Sequence, residues 1–235
     1  GRKLEACVQS LIRRWALPEA FAAWVRDSCR FCDTLVDRIV SGFPADEAPA
    51  LWQRLGYADQ LLTVCEPYAL WAVEDRGDIR RLPLDAAGLP VRFVPDVAPL
   101  RERKTRLLNG AHTLLAAVGL TAGVQTVGGC MGNPAVSAFL ERCLREEILP
   151  HTPGEPAENR LFQAAMLERF ANPCLEHRLA SISLNALSKW RARLLPTLEA
   201  CAAEGALPDG ILLAFAVQLH GLLFPPPGME TALSG

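Results

Sequence analysis

The chain has 235 residues, half of them hydrophobic, and a formal net charge of -2 at pH 7. This hydrophobic content suffices for a substantial core, while the near-neutral charge gives no reason to expect nucleic acid or an anionic membrane as a partner. No apolar run reaches the roughly 20 residues of a membrane span. Eight cysteines are scattered along the chain, and Cys29 and Cys32 have no second pair to complete a zinc site. The scattered cysteines predict reduced thiols in a cytoplasmic protein.

Helical periodicity begins at the start of the chain. It predicts an amphipathic helix over residues 2–13 and a second helix from Pro18 to about Arg30. The stretch that follows contains the sequence V-D-R-I at Val36–Ile39, which we interpret as a loop. Taken by itself, Asp37 in this loop can form a salt bridge with a nearby arginine.

A short β segment interrupts the helical pattern. Tyr68–Glu74 and Leu89–Val94 alternate between apolar and polar residues, and the link between them is rich in turn residues, including Gly77 and Gly88. The sequence therefore predicts a small antiparallel pair of strands. A structural flap is the favoured interpretation of this pair, with substrate recognition as the alternative.

The central helix is predicted from Pro99 to about Val118. Its first half runs from polar to apolar residues, as expected of a helix that enters a core. At 100° per residue, Asn109 lies about 140° and His112 about 80° around the helix from Lys104. All three side chains can therefore face one cavity. A solvated lysine, a capping asparagine and a buried histidine are the alternative interpretation of each residue taken singly.

The lysine is informative because the chain contains 24 basic residues and only three lysines. Arginine does not release its proton in proteins, whereas a lysine in an apolar pocket can become neutral near pH 7 and act as a base. Lys104 is therefore a candidate general base.

The second half of the chain predicts helices separated by short turns. Two polar stretches, Arg169–His177 and Ile182–Lys189, interrupt the apolar pattern, and the residues from Pro225 onward are expected to be a disordered tail. We therefore expect one mainly helical domain over residues 1–224. The predicted helices of the second half cover residues 134–149, 157–171, 194–204 and 209–223.

R-F-x-N-P-x-x-x-H through His177 and I-x-L-N-x-x-S-K at Ile182–Lys189 resemble a landmark of the mannitol dehydrogenase family, which implies that three of their residues are candidate substrate ligands. Lys189 is either a cation for the acid group of a substrate or a surface charge, and both interpretations stay open. His177 and Asn185 either line a pocket or hold the turn at Asn172-Pro173, which is the favoured role for His177.

The pattern K-x4-N-x2-H formed by Lys104, Asn109 and His112 resembles the signature of the mannitol dehydrogenase family of polyol-specific long-chain dehydrogenases. L-L-N-G-A-H-T at Leu107–Thr113 and C-E-P-x-x-L-W-x-x-E at Cys65–Glu74 resemble the family's tagaturonate reductase (altronate oxidoreductase) branch. The resemblance implies that Lys104 is the general base and that Asn109 and His112 polarise the carbonyl oxygen of the substrate.

The resemblance also implies a fold, a cofactor and a substrate class. The fold expected is mainly α, similar to the C-terminal domain of 6-phosphogluconate dehydrogenase, with a small two-stranded β excursion. The reaction implied is reversible NAD-dependent interconversion of tagaturonate and altronate without a metal, and Val36 and Asp37 would face the hydroxyls of the sugar acid. Fructuronate reduction, mannitol or other polyol oxidation, and a helical assembly module are the alternatives.

No G-x-G-x-x-G follows a strand and opens a helix in this chain. The dinucleotide-binding domain of the family is therefore expected to lie outside the chain, as an N-terminal Rossmann domain of the same polypeptide. That domain and a small sugar acid or polyol are the partners expected.

Overall fold

The computed structural model describes residues 1–224, so the expected disordered tail lies outside the described residues. The strands are β1 (Thr34–Asp37), β2 (Val40–Gly42), β3 (Val64–Cys65), β4 (Leu70–Glu74) and β5 (Val91–Val94). The helices are α1 (Arg2–Arg14), α2 (Glu19–Ser28), α3 (Ala48–Leu55), α4 (Ala98–Lys104), α5 (Gly110–Thr121), α6 (Val127–Gly132), α7 (Pro134–Cys143), α8 (Pro156–Phe170), α9 (Leu179–Ser183), α10 (Ala186–Arg193), α11 (Leu195–Ala203) and α12 (Asp209–Leu223). Two π-helical turns, Thr105–Asn109 and Leu144–Ile148, and two short 3-10 turns, Ile79–Arg81 and Leu149–His151, complete the helical part.

The described chain divides into two compact units. One contains Gly1–Arg38 and Tyr68–Arg101, and the other contains Ile39–Pro67 and the described chain from Glu102 onward. The sequence led us to expect a single helical domain over residues 1–224. The units are discontinuous because β1 and β4 pair with each other, so the residues between them form an excursion into the second unit.

The first unit contains a three-stranded sheet in the order β1-β4-β5. β1 pairs antiparallel with β4, and β4 pairs parallel with β5. The sequence predicted that the strands now called β4 and β5 are antiparallel, which is wrong, and it did not predict β1. A parallel connection needs a crossover of about a dozen residues or more, and the link over residues 75–90 has that length. Ala72, Val94 and Val97 form the small core of this unit.

The second unit is built around α5. This helix is apolar nearly all round, as expected of a helix that is covered on every side, and it packs against α7, α9, α10 and α12. Gly119 allows the close approach of its neighbours, because a Cβ there would lie 2.5 Å from Cys130 Sγ and 2.6 Å from Leu179 Cδ1. The mainly helical fold class predicted from the sequence is confirmed. Within residues 1–224, no helix is long and apolar enough to cross a membrane.

A buried ion pair joins the excursion to α8 inside the second unit. Glu66 is 2% exposed, and its carboxylate accepts hydrogen bonds from Arg169 Nη2 at 2.7 Å and Nε at 3.0 Å. It also accepts the backbone N–H of Ile39 at 2.6 Å. Because these bonds satisfy both charges, Glu66 fixes Arg169 at the end of α8.

Removal of the Glu66 carboxylate should strongly destabilise the second unit. Breaking a buried pair leaves an uncompensated charge, so Glu66→Ala should lower the free energy of unfolding by about 3–5 kcal/mol in urea titrations. Glu176→Ala is the matched control, because the Glu176–Arg178 pair is exposed and should contribute at most about 1 kcal/mol. Equal, small losses in both variants would show that the Glu66 pair does not stabilise the fold.

Candidate active site

The candidate site is built on a break in the regular central helix. α4 ends at Lys104, the π-helical turn Thr105–Asn109 follows, and α5 begins at Gly110. The sequence predicted helix throughout this stretch, which is confirmed, but not the π turn. A π turn closes i→i+5 hydrogen bonds, so angles based on 100° per residue do not hold across it. Such turns occur frequently at functional sites.

His112, on the first turn of α5, is held in an aromatic environment. The residue is 5% exposed, and its ring stacks on Phe170 with a centroid separation of 4.3 Å. The ring of His177 lies edge-on to the His112 ring, with a centroid separation of 4.8 Å. The Nε2 atom of His112 is buried and has no hydrogen-bond partner among residues 1–224. This atom is a candidate ligand for a polar group of a substrate, because buried polar groups are nearly always hydrogen-bonded.

The electrostatic environment keeps the His112 ring neutral. Burial holds the pKa of His112 well below its usual value, and the neighbouring His177, Arg193, Arg169 and Lys104 lower that pKa further. A neutral imidazole carries one N–H donor and one acceptor nitrogen. The ring can therefore donate a hydrogen bond to a substrate oxygen without carrying a charge of its own.

Lys104 and Asn109 mark the two ends of the π turn. Lys104 is half-buried, and its charge contributes to the lowered pKa of His112. The backbone oxygen of Asn109 accepts the Thr113 hydroxyl at 3.0 Å and Arg193 Nη1 at 3.4 Å. The backbone of Asn109 is thus anchored between Lys104 and His112 in the sequence, and the assignment of these three residues to catalysis stays a prediction.

His177 is a neighbour of His112. Its Nδ1 atom is buried without a hydrogen-bond partner in the described part of the chain, and burial together with Lys189 lowers its pKa. The turn at Asn172-Pro173 is closed by Asn172, whose Oδ1 accepts the backbone N–H of Cys174 at 2.9 Å. The His177 ring lies against His112. The favoured expectation, that His177 holds this turn, stays a prediction, as does the alternative that it lines a pocket.

Lys189 and Asn185 have structural roles in the connection between α9 and α10. Lys189 Nζ donates to the backbone oxygen of Ile182 at 2.8 Å, and burial followed by the charge of Arg193 lowers its pKa. Asn185 is exposed and adopts the left-handed conformation at φ 55°, which asparagine tolerates better than most residues. Their assignment as substrate ligands stays a prediction.

Val36 and Asp37 lie in the first unit. They belong to strand β1 and not to the loop that the sequence predicted, opposite Trp71 and Leu70 of β4. Asp37 is 1% exposed, whereas Val36 is 56% exposed. The assignment of both residues as substrate ligands stays a prediction.

Two arginines that lower the pKa of His112 had no role in the sequence analysis. Arg169 lies inside the R-F-x-N-P stretch that we singled out, but only the structure shows its buried pair with Glu66. Arg193 is half-buried at the end of α10 and interacts with His112, Lys189 and Asn109. Arginine dominates the basic residues of this chain, so residue type gave no signal for either one.

Two family models match this chain. Residues 96–221 match the model of the mannitol dehydrogenase C-terminal domain, and residues 1–86 match that of the mannitol dehydrogenase Rossmann domain. The chain belongs to the mannitol dehydrogenase family. The sequence had led us to expect that the Rossmann domain lies wholly outside the chain, and the match over residues 1–86 corrects this expectation.

Within the family, the chain is similar to altronate oxidoreductases. It is 41% identical to the Klebsiella pneumoniae enzyme over 218 residues, covering 92% of this chain and 45% of that protein. It is 40% identical to the Bacillus subtilis enzyme over 222 residues, covering 94% of this chain and 46% of that protein. The chain thus spans less than half the length of these curated relatives.

Solved structures support the fold. The mannitol 2-dehydrogenase of Pseudomonas fluorescens, solved as a ternary complex with NAD and D-mannitol, superposes with a TM-score of 0.75 at 24% sequence identity. The match covers 91% of this chain and 46% of that one. A substrate-free D-sorbitol dehydrogenase superposes with a TM-score of 0.76, also at 24% identity, over 89% of this chain and 43% of that one.

The neutral state of His112 predicts a pH dependence of stability. Its pKa in the folded chain lies below the value of about 6.5 expected in the unfolded chain, so the unfolded chain binds the proton more readily. The free energy of unfolding should therefore be highest above about pH 6.5 and should fall as the pH drops below it. His112→Phe should weaken this dependence in urea titrations between about pH 7 and 5.

The remaining slope is assigned to His177, whose pKa is also lowered. His220→Phe is the control for loss of a histidine, because His220 is exposed on α12. An unchanged slope in His112→Phe would mean that His112 is not held neutral by the fold.

Proposed function

We propose that this chain carries the proton-transfer and carbonyl-binding site of an NAD-dependent oxidoreductase that interconverts tagaturonate and altronate. The observation that carries the proposal is the buried Nε2 atom of His112, which has no hydrogen-bond partner among residues 1–224 and lies just beyond the π turn that Lys104 precedes. Identity of 40–41% to altronate oxidoreductases supports the choice of substrate.

Lys104 and His112 have complementary roles in this proposal. In the direction of oxidation, neutral Lys104 accepts the proton of the substrate hydroxyl, and in reduction it returns that proton to the carbonyl oxygen. The N–H of His112 donates to the same oxygen, where its hydrogen bond is strengthened by exclusion of water. Asn109 is proposed as a second donor because of its place in the family signature.

NAD, when bound, supplies the hydride acceptor or donor. Residues 1–86 match the family's Rossmann domain, but they contain no glycine-rich loop that follows a strand and opens a helix, the element that would hold the pyrophosphate. The contribution proposed for Lys104 and His112 is to hold the substrate and to move its proton.

The charges around His112 favour an acidic substrate. Lys104 and Arg193 act on the His112 ring, and Lys189 acts on His177 beside it, whereas Glu66 neutralises Arg169. Such a concentration of positive charge would attract the carboxylate of a uronate more strongly than a neutral polyol. Lys189 uses one hydrogen for the Ile182 oxygen, and an ammonium has three, so it stays our candidate for the carboxylate.

The alternatives to this proposal are two related dehydrogenase activities and one role without catalysis. Fructuronate reductase and mannitol or polyol dehydrogenase activity would use the same lysine and histidine with a different substrate. A helical assembly module would need neither a half-buried lysine nor an unpartnered buried histidine nitrogen beside it. The cytoplasmic location stays a prediction.

Substitution of Lys104 tests the proposed chemistry. In the complete gene product, Lys104→Ala should lower kcat at least ~100-fold, and an added small primary amine should restore part of it. Lys104→Arg should be equally inactive, because arginine keeps the charge but does not release its proton. In the wild type, oxidation should accelerate with rising pH through one ionisation, since the base must be neutral to accept a proton.

The control for Lys104 is Lys3→Ala, at an exposed lysine of α1, which should leave kcat unchanged. Near-normal oxidation by Lys104→Arg would contradict the proposal, because the residue would then act only through its charge.

Substitution of Lys189 tests the substrate class. Lys189→Met should lower kcat/KM for tagaturonate about tenfold or more beyond its effect on a neutral ketose, because only the uronate loses a charged contact. Lys189→Arg keeps the positive charge and should lose less on tagaturonate. Equal losses on both substrates would remove Lys189 from the carboxylate site.

A further inference from the structure

We propose that Arg193 is a positioning residue of this active site, which fixes the Asn109 end of the π turn and thereby sets His112 relative to Lys104. This inference rests on the proposed function, because it assigns Arg193 a part in the same reaction. Arg193 has no place in the K-x4-N-x2-H pattern, and it lies on a different helix.

The contacts of Arg193 form a closed triangle with two groups of the central helix. Its Nη1 atom lies 3.4 Å from the backbone oxygen of Asn109 and 3.2 Å from Thr113 Oγ1. The Thr113 hydroxyl donates to the same Asn109 oxygen at 3.0 Å. One guanidinium therefore holds both the last residue of the π turn and a residue one turn further along α5. These two contacts of Arg193, with Asn109 and Thr113, form a clamp on the central helix.

One contact of Arg193, with Asn109, lies between the two proposed catalytic residues along the central helix. Lys104 precedes the π turn, Asn109 ends it, and His112 lies next to the clamped Thr113. A π turn differs from the α-helix on either side in its hydrogen-bond register, so its ends move relative to each other if it reverts to α geometry. Such a change would alter the separation of Lys104 from His112.

The backbone of Arg193 is held close to the turn. Gly110 begins α5, and a Cβ there would lie 3.2 Å from Leu194 Cδ2 and 3.8 Å from the Arg193 carbonyl oxygen. Leu194 is fully buried, so the end of α10 is fixed in place. The guanidinium thus reaches the Asn109 oxygen from a rigid support, as precise positioning requires.

Arg193 also contributes charge. Its own pKa is lowered by burial, and its charge acts with those of His177, Arg169 and Lys104 to lower the pKa of His112. The geometric and electrostatic contributions can be separated by substitution. Lysine at 193 keeps the charge but loses the planar fork of donors, whereas glutamine loses the charge as well.

The test compares Arg193→Gln and Arg193→Lys with Arg191→Gln in the complete gene product. Arg191 is the matched control because it is an exposed arginine on the same helix. Hydrogen exchange read by mass spectrometry reports the clamp, and steady-state kinetics with tagaturonate report the positioning.

Loss of the clamp should lower the exchange protection of residues 109–113 about tenfold in Arg193→Gln, since one hydrogen bond contributes about that factor. The same variant should lose at least about tenfold in kcat, with KM within about twofold of the wild type, because a misplaced donor acts on the transition state. Arg193→Lys should fall between Arg193→Gln and the wild type in kcat, and Arg191→Gln should match the wild type in both measurements.

Three results would overturn the assignment in an active enzyme. Protection of residues 109–113 that is unchanged in Arg193→Gln would exclude the clamp. Reduced protection with a normal kcat would make Arg193 a residue of the fold alone. A rise in KM with kcat unchanged would make it a substrate ligand. A wild-type protein that is inactive on tagaturonate would instead overturn the proposed function, and the exchange data would still report on the clamp.

Discussion

The uncharged, buried imidazole of His112 is the constraint on which the site depends. Burial is the largest cause that lowers the pKa of this ring, and a second histidine and three cationic side chains add to its effect, so protonation there would be strongly unfavourable. The stacked Phe170 ring fixes its orientation. A buried nitrogen without a hydrogen bond costs about 1–3 kcal/mol, a cost that folds accept mainly at functional sites. The proposed substrate oxygen would offset that cost.

The helical scaffold explains how this constraint is maintained. α5 is surrounded by other helices, and Gly119 lets α6 and α9 approach it closely. The helix that carries His112 therefore has little freedom to move. Glu66 fixes Arg169 at the end of α8, next to Phe170. The site therefore combines rigid helices with one irregular element, the π turn, which lies where the central helix passes from the surface into the core.

The sequence predicted those features that depend on local pattern. Helical periodicity identified the central helix, and the rarity of lysine singled out Lys104. The π turn could not be predicted from the sequence, because the apolar pattern of a five-residue stretch does not distinguish i→i+5 from i→i+4 hydrogen bonds. The parallel pairing of β4 and β5 was missed because Gly77 and Gly88 suggested a hairpin, whereas the length of the link permits a crossover.

The missed side-chain contacts have a different physical reason. Arg193 contacts Asn109, 84 residues away in the sequence, and Glu66 contacts Arg169, 103 residues away, and neither residue type is unusual in this chain. Pairings of that kind depend on how helices pack, which periodicity does not specify. The contact of His177 with His112 was missed for the same reason, since it joins two segments that are far apart in the sequence.

The most direct test of the account is the state of the His112 ring itself. Nuclear magnetic resonance of the complete gene product, with 15N-labelled histidine, distinguishes neutral from charged imidazole and follows the ring N–H proton. We expect a neutral His112 at pH 7, with a ring N–H resonance that shifts when altronate is added and stays in place in the presence of an unrelated neutral sugar. A charged His112, or ring resonances that saturating altronate leaves unchanged, would contradict it.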